Sequence, residues 1–172
     1  MTDDKGTLAY AADHTTVDEV GAFIDELTNE YKFLAIFVFV TAVAPETAIS
    51  LDVATVNSRI AKLGDLGALQ SLSNVPIHRD LELLLPVFIR GRRAAFLKRK
   101  NIPASEEPPQ VYLDRNARPF TLDNVNAAFL RLSRKLGLPI PIKLETIAWV
   151  AAKQSMLERL AMPQHEPSSC RH

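Results

Sequence analysis

Residues 115–140 read RNARPFTLDNVNAAFLRLSRKLGLPI, and this stretch has the outline of a complete module. It opens on a turn, RNARPF. Thr121 is placed to cap a helix, because a Thr hydroxyl accepts from a backbone N–H that the first helical turn leaves unpaired. Val125, Phe129, Leu132 and Leu136 then recur at intervals of three and four and predict one apolar face. Gly137 supplies the residue type that ends a helix in the left-handed region, and Pro139 and Pro141 prevent its continuation. The stretch is an amphipathic helix with both ends marked.

Working outward, helices dominate. Towards the C-terminus a last helix is expected over roughly 144–160. Near the N-terminus, Thr16 followed by Glu19 makes a capping box, and Val17, Val20, Ile24 and Leu27 continue it at helical spacing. Residues 31–44 are apolar almost throughout; their length favours a buried helix, although the Val, Ile and Phe content would also suit a strand. Pro45 disfavours helix at Ala44 and is itself well placed in a first turn, so PETAISLD predicts a short helix after a bend. Residues 79–100 predict a long helical stretch, kinked or split at Pro86 and Gly91. NIPASEEPPQ is a polar, proline-rich linker, and VYLD a brief apolar segment beyond it.

Two segments suggest strands. Residues 53–62, VATVNSRIAK, alternate apolar and polar over part of their length, SNVPIH is a second short extended candidate, and the region of Gly64 and Gly67 supplies the turn between them. The expected fold class is therefore mainly α with a small antiparallel β-sheet, an α+β unit spanning 1–172, with 1–13 and 163–172 as flexible tails.

Composition bounds the function. With 47% hydrophobic and 23% charged residues the chain has the mixture of a folded domain. Cys170 is the only cysteine, so an intramolecular disulfide and a cysteine zinc site are excluded and a reducing compartment fits. The acidic N-terminus lacks the pattern of a secretory signal, and the apolar run 33–44 has twelve residues where a membrane span needs about 20. A cytoplasmic protein without a membrane partner is expected. His14 and His78 have no metal-ligand partners at suitable spacing, and no glycine-rich phosphate loop, G-x-S-x-G elbow or paired-His helix occurs. No metal or cofactor is expected.

The formal net charge is zero but divided unevenly. Residues 1–66 hold four Lys and Arg against eleven Asp and Glu, and residues 67–172 hold sixteen against nine. The second half can thus present an electropositive face. Arg90, Arg92, Arg93, Lys98, Arg99 and Lys100 form its densest run, readable either as phosphate contacts or as solvated helix ends that complement a helix dipole. Arg115 and Arg118 could fix phosphates, while Thr121, Asn124 and Asn126 stand at a helix start. Asparagine amides there can read adenine edges, or they can simply cap the local backbone. Trp149, in an apolar stretch, is expected in the core.

The order of elements resembles the catalytic domain of the tyrosine recombinase (phage integrase) family over nearly the whole chain. TTVDEVGAFIDEL is similar to the family's opening L-T-x-E-E-V helix. VTAVAPETAISLDVATVN is similar to its T-G-L-R-x-x-E-L segment, NVPIHRDLELLL to its V-P-L return from a hairpin, and RPFTLDNVNAAFLRLSRKLGL most closely to R-P-L-T-x-x-N-V-N-x-A-F-R-R-L-x-R-x-A-G-L. The resemblance implies that the helix after Thr121 points its N-terminal end at a DNA major groove.

It also implies lost chemistry. The family cleaves DNA with a Tyr nucleophile while two Arg, a Lys and His or Trp groups stabilise the phosphate transition state. Here Ala44 stands where the first Arg is expected and Thr47 where Glu is usual. Gly67 and Ala68 fall near the hairpin Lys, with Lys62 too early, and ETIAWVAA puts Glu145, Ala148 and Trp149 at the first His, second Arg and next His. Tyr10, Tyr31 and Tyr112 all precede the last helix. The implied function is a catalytically inactive recombinase-like protein that binds DNA or a recombination or mobile-element complex. The alternative is a protein-interaction module that pairs with an active recombinase or with itself.

Overall fold

The computed structural model describes residues 10–11, 13–63 and 79–161. Eight α-helices run in order among them: α1 (Val17–Glu26), α2 (Asn29–Thr41), α3 (Pro45–Ser50), α4 (Val53–Leu63), α5 (Arg79–Phe88), α6 (Ala94–Arg99), α7 (Leu122–Lys135) and α8 (Leu144–Ala161). A π-helical turn, Ile89–Arg93, joins α5 to α6, and a 3-10 turn, Ala104–Glu106, lies in the linker.

α2 is the central helix. Its apolar residues go nearly all round, as a helix packed on several sides requires; Leu34, Ala35, Phe37 and Val38 are buried, and the buried Thr41 hydroxyl is satisfied by the Phe37 carbonyl at 2.7 Å. α1, α3 and α8 pack around it. α1 starts at the capping box: Glu19 N–H donates to the Thr16 hydroxyl at 3.2 Å, and the Thr16 N–H donates to the Glu19 carboxylate at 2.7 Å. α3 starts at Pro45.

α7 follows the same rules. Val125 and Phe129 are fully buried, and Phe129 meets Phe23 of α1 edge-on with ring centroids 5.4 Å apart. Gly137, at φ +66°, closes the helix in the left-handed region, with Leu138 N–H bonded to the Ser133 carbonyl and Gly137 N–H to the Arg134 carbonyl.

The expected antiparallel sheet does not occur among the described residues. Residues 53–62 are helical, within α4. The reason is local: Asp52 caps the helix, its carboxylate accepting from the Thr55 N–H at 2.6 Å and the Thr55 hydroxyl at 2.9 Å, which pulls its pKa below the usual aspartate range. Val53, Val56, Ile60 and Leu63 are at helical spacing, and this outweighs the partial alternation. SNVPIH, Gly64 and Gly67 lie outside the described residues. Among the described residues, extended pairing is limited to two isolated antiparallel bridges, Asp52 with Gln110 and Leu113 with Pro119.

The break expected at Pro86 and Gly91 takes the form of the π turn. Pro86 sits inside α5 without an N–H to donate, and three residues later the hydrogen bonding lengthens, the Ala94 N–H reaching back to the Ile89 carbonyl. Arg93 at its end is buried at 6% exposure. Tyr10, Ala11 and Asp13, within the stretch expected as a tail, are helical, as is His14, and Asp13 pairs with Lys153 of α8 at 3.2 Å. No described helix is long and apolar enough to cross a membrane.

Candidate nucleic-acid interface

The 114–118 turn is built by its own first residue. The Asp114 carboxylate accepts from the N–H of Asn116 at 2.7 Å and of Arg118 at 2.9 Å, and the Asp114 N–H bonds the Arg118 carbonyl at 2.8 Å. Ala117 takes the left-handed conformation at φ 59° and is buried beside Phe96, Leu97 and Leu113. Arg115 and Arg118 are left exposed on the outside of this turn.

A second basic segment joins them. The Arg99 guanidinium, 5.5 Å from the Phe96 ring centre, donates to the Arg115 carbonyl. The end of α6, with exposed Lys98, Arg99 and Lys100, is thereby held against the turn. Lys98, Arg99, Lys100, Arg115 and Arg118 are all exposed, and none of them forms an ion pair among the described residues. Asp114, the carboxylate within the turn, is half-buried and already bonded to the turn's own N–H groups. Close by, Tyr31 stacks on Phe120 at 4.9 Å, and burial raises its pKa.

At the start of α7, Thr121 and Asn124 form a reciprocal cap: the Asn124 N–H donates to the Thr121 hydroxyl at 3.3 Å and the Thr121 N–H to the Asn124 amide oxygen at 3.1 Å. Both remain exposed. Asn126 is engaged elsewhere. Its amide oxygen accepts from the Leu144 N–H at 3.0 Å, and its amide nitrogen donates to both Glu145 carboxylate oxygens at 2.9 and 3.0 Å. It caps α8 from a neighbouring helix and has no free amide edge to offer a base.

The remaining arginines part company at the π turn. Arg93 points inward, donating to the carbonyls of Gln110, at 3.0 Å, and Pro108, and to the Glu107 carboxylate at 3.1 Å. Arg92 is exposed on a groove against α2, and Arg90 is exposed but does not line that groove. Their adjacency in sequence does not make them one surface.

The positions aligned with recombinase catalysis are equally dispersed in character. Ala44 is exposed as the cap residue of α3, Thr47 is exposed, and Ala148 is buried in the main core. Gly67 and Ala68 lie outside the described residues. Tyr112 is fully buried between Phe37 and Phe88, its hydroxyl without a partner, and burial drives its pKa well up, opposite to what a nucleophile needs. Trp149, expected in the core, is 56% exposed. It shares the outer face of α8 with Met156 and Leu160, because 149, 156 and 160 superpose at helical spacing and α8 packs inward through Ile147, Ala148, Val150 and Ala151.

In the sequence, Lys98, Arg99 and Lys100 register only as part of a charge run, and the seating of Arg99 on the Arg115 carbonyl is missed; no signal in the chain joins residues sixteen apart in this way. No cluster able to hold a metal ion occurs among the described residues. No family model, no characterised protein and no solved structure matches the chain.

Proposed function

We propose that the chain is a non-catalytic, recombinase-like helical module that binds duplex DNA through the basic surface formed by the 114–118 turn and the end of α6. In this reading it serves as an accessory factor to a recombination or mobile-element complex. The observation that carries it is the contact of the Arg99 guanidinium with the Arg115 carbonyl, which holds the end of α6 against the 114–118 turn; Lys98, Arg99, Lys100, Arg115 and Arg118 are exposed there with no ion-pair partners among the described residues. Uncompensated, exposed cations are suited to phosphates, where each neutralised charge releases counterions. Thr121 and Asn124 at the adjoining helix start are the groups in reach of a groove, and the motif resemblance supports the same orientation. The non-catalytic half rests on Ala44, Ala148 and the buried Tyr112.

The test is fluorescence polarisation of a labelled duplex of about 25 base pairs at 50 and 200 mM salt. Affinity should fall steeply between them, and Arg99→Gln, Arg115→Gln and Arg118→Gln together should reduce the log–log salt slope by about 3. An unchanged slope in the triple variant would remove the surface from the argument. A nicked suicide substrate should yield no covalent adduct.

A second reading, pairing with an active recombinase or with itself, is favoured by the exposed Trp149, Met156, Leu157 and Leu160 on α8. Sedimentation velocity distinguishes the two: self-association abolished by Trp149→Ala together with Leu160→Ala would support it.

A further inference from the structure

The groove between α2 and the junction of α5 with the π turn has the form of a small-molecule site. It is open to solvent, offers about 400 Å³ and is lined by Phe33, Ile36, Leu84, Val87 and Phe88, with the Phe33 and Phe88 rings stacked at 4.5 Å. Leu84 and Val87 are 46% and 68% exposed, so its wall keeps apolar surface in water that an occupant would cover. Pockets of this size with apolar walls and few polar groups are the usual form of ligand sites.

The polar groups specify the occupant. Besides Asn29 the lining holds two cations, Lys32 and Arg92. Lys32 is neutralised by Asp25, its ammonium 2.8 Å from the carboxylate. Arg92 has no ion-pair partner among the described residues and is exposed at the groove's edge. The site therefore combines an apolar floor with one uncompensated positive charge. The π turn creates this arrangement: the extra residue it accommodates lets Arg93 turn inward to the 107–110 segment while Gly91 and Arg92 face the groove. Gly91 has no side chain to fill the space, and a Cβ built there would meet nothing within 4 Å.

We propose that this groove binds an amphiphilic monoanion, a chain carboxylate whose apolar body lies on Phe33, Phe88, Leu84 and Val87 and whose carboxylate pairs with Arg92. The charge of the head and the apolarity of the body are both required. Arg92 thus serves this site and not the DNA surface.

The experiment uses the whole chain and sodium decanoate, with 1-decanol as the neutral comparison, both below micellar concentration and followed by amide chemical shifts. Decanoate should shift the amides of Phe33, Ile36, Val87 and Gly91 saturably, and decanol should bind at least tenfold more weakly. Arg92→Gln should bring decanoate down to the level of decanol. Gly91→Leu should abolish both titrations while leaving the fold intact, since helix propensity improves when glycine is replaced. Equal affinities for decanoate and decanol, or an unchanged titration in Gly91→Leu, would overturn the proposal. Concentration-dependent shifts of the same amides without decanoate would assign the groove to a second copy of the chain and overturn it as well. DNA affinity in Arg92→Gln should match the parent.

Discussion

Replacing Arg93 with alanine is the perturbation whose cost can be worked out in most detail. The guanidinium is 6% exposed and donates to two backbone carbonyls, Gln110 and Pro108, and to the Glu107 carboxylate. Hydrogen bonds to a charged group contribute about 1.5–3 kcal/mol each. The Glu107 contact is discounted, because its side chain is 37% exposed and an exposed pair is worth about 0–1 kcal/mol. The two carbonyl contacts remain, and together they are worth about 3–6 kcal/mol. That segment also carries the Val53 N–H to Pro109 carbonyl bond and the Val111 N–H to Leu51 carbonyl bond, so its release loosens the junction of α3 and α4. At roughly 2–4 °C per kcal/mol for a chain of this size, the thermal midpoint should fall by about 6–24 °C. Thermal unfolding followed by circular dichroism measures it, and urea unfolding should show a lowered midpoint concentration at unchanged slope. Arg93→Lys should recover less than half, because one ammonium cannot span acceptors that a planar fork reaches together. A loss under about 1 kcal/mol in Arg93→Ala would refute the clamp.

Asn126→Ala should cost about 1–2 kcal/mol by uncapping α8 and leave DNA affinity unchanged once the variant is folded; a selective loss of affinity for particular sequences would return Asn126 to base reading. Tyr112→Phe removes a buried hydroxyl that has no partner, so stability should stay level or rise by up to about 1 kcal/mol, and destabilisation would reveal a partner for that oxygen. Glu19 is held below the usual glutamate pKa by the Thr16 backbone N–H first and its hydroxyl second, so its contribution to stability is present above the ordinary glutamate range and is lost as pH falls through the depressed value. Thr16→Ala keeps the backbone donor and loses the hydroxyl; carboxyl NMR should show the Glu19 pKa rising part of the way, and no rise would sink the assignment.

The elements legible in the chain were those whose signals are local. Thr16 with Glu19, Pro45, Thr121 and Gly137 each act on backbone groups within a few residues, and each marks a helix end found in the structure. The segment 53–62 departs from this: its partial alternation suggests a strand, yet Asp52 and Thr55 form a cap pair as local as the others and the segment is helical. The last helix, expected over roughly 144–160, is found at Leu144–Ala161, but Trp149 lies on its exposed side: hydrophobicity states what gains from burial, and only the packing of neighbouring helices states which face obtains it.

By itself, then, the sequence determined a chain of capped helices, a broken helix at 86–93 and a basic second half, because capping, proline geometry and charge act over one or two turns. Tertiary structure alone decided which charges are available. Arg93 was drawn inward to carbonyls and a carboxylate fourteen to seventeen residues away, Asn126 was committed to the start of α8, and Arg99 was seated on Arg115. These contacts join residues that the chain separates, and a buried donor's need for a partner is met by whatever acceptor folding brings beside it.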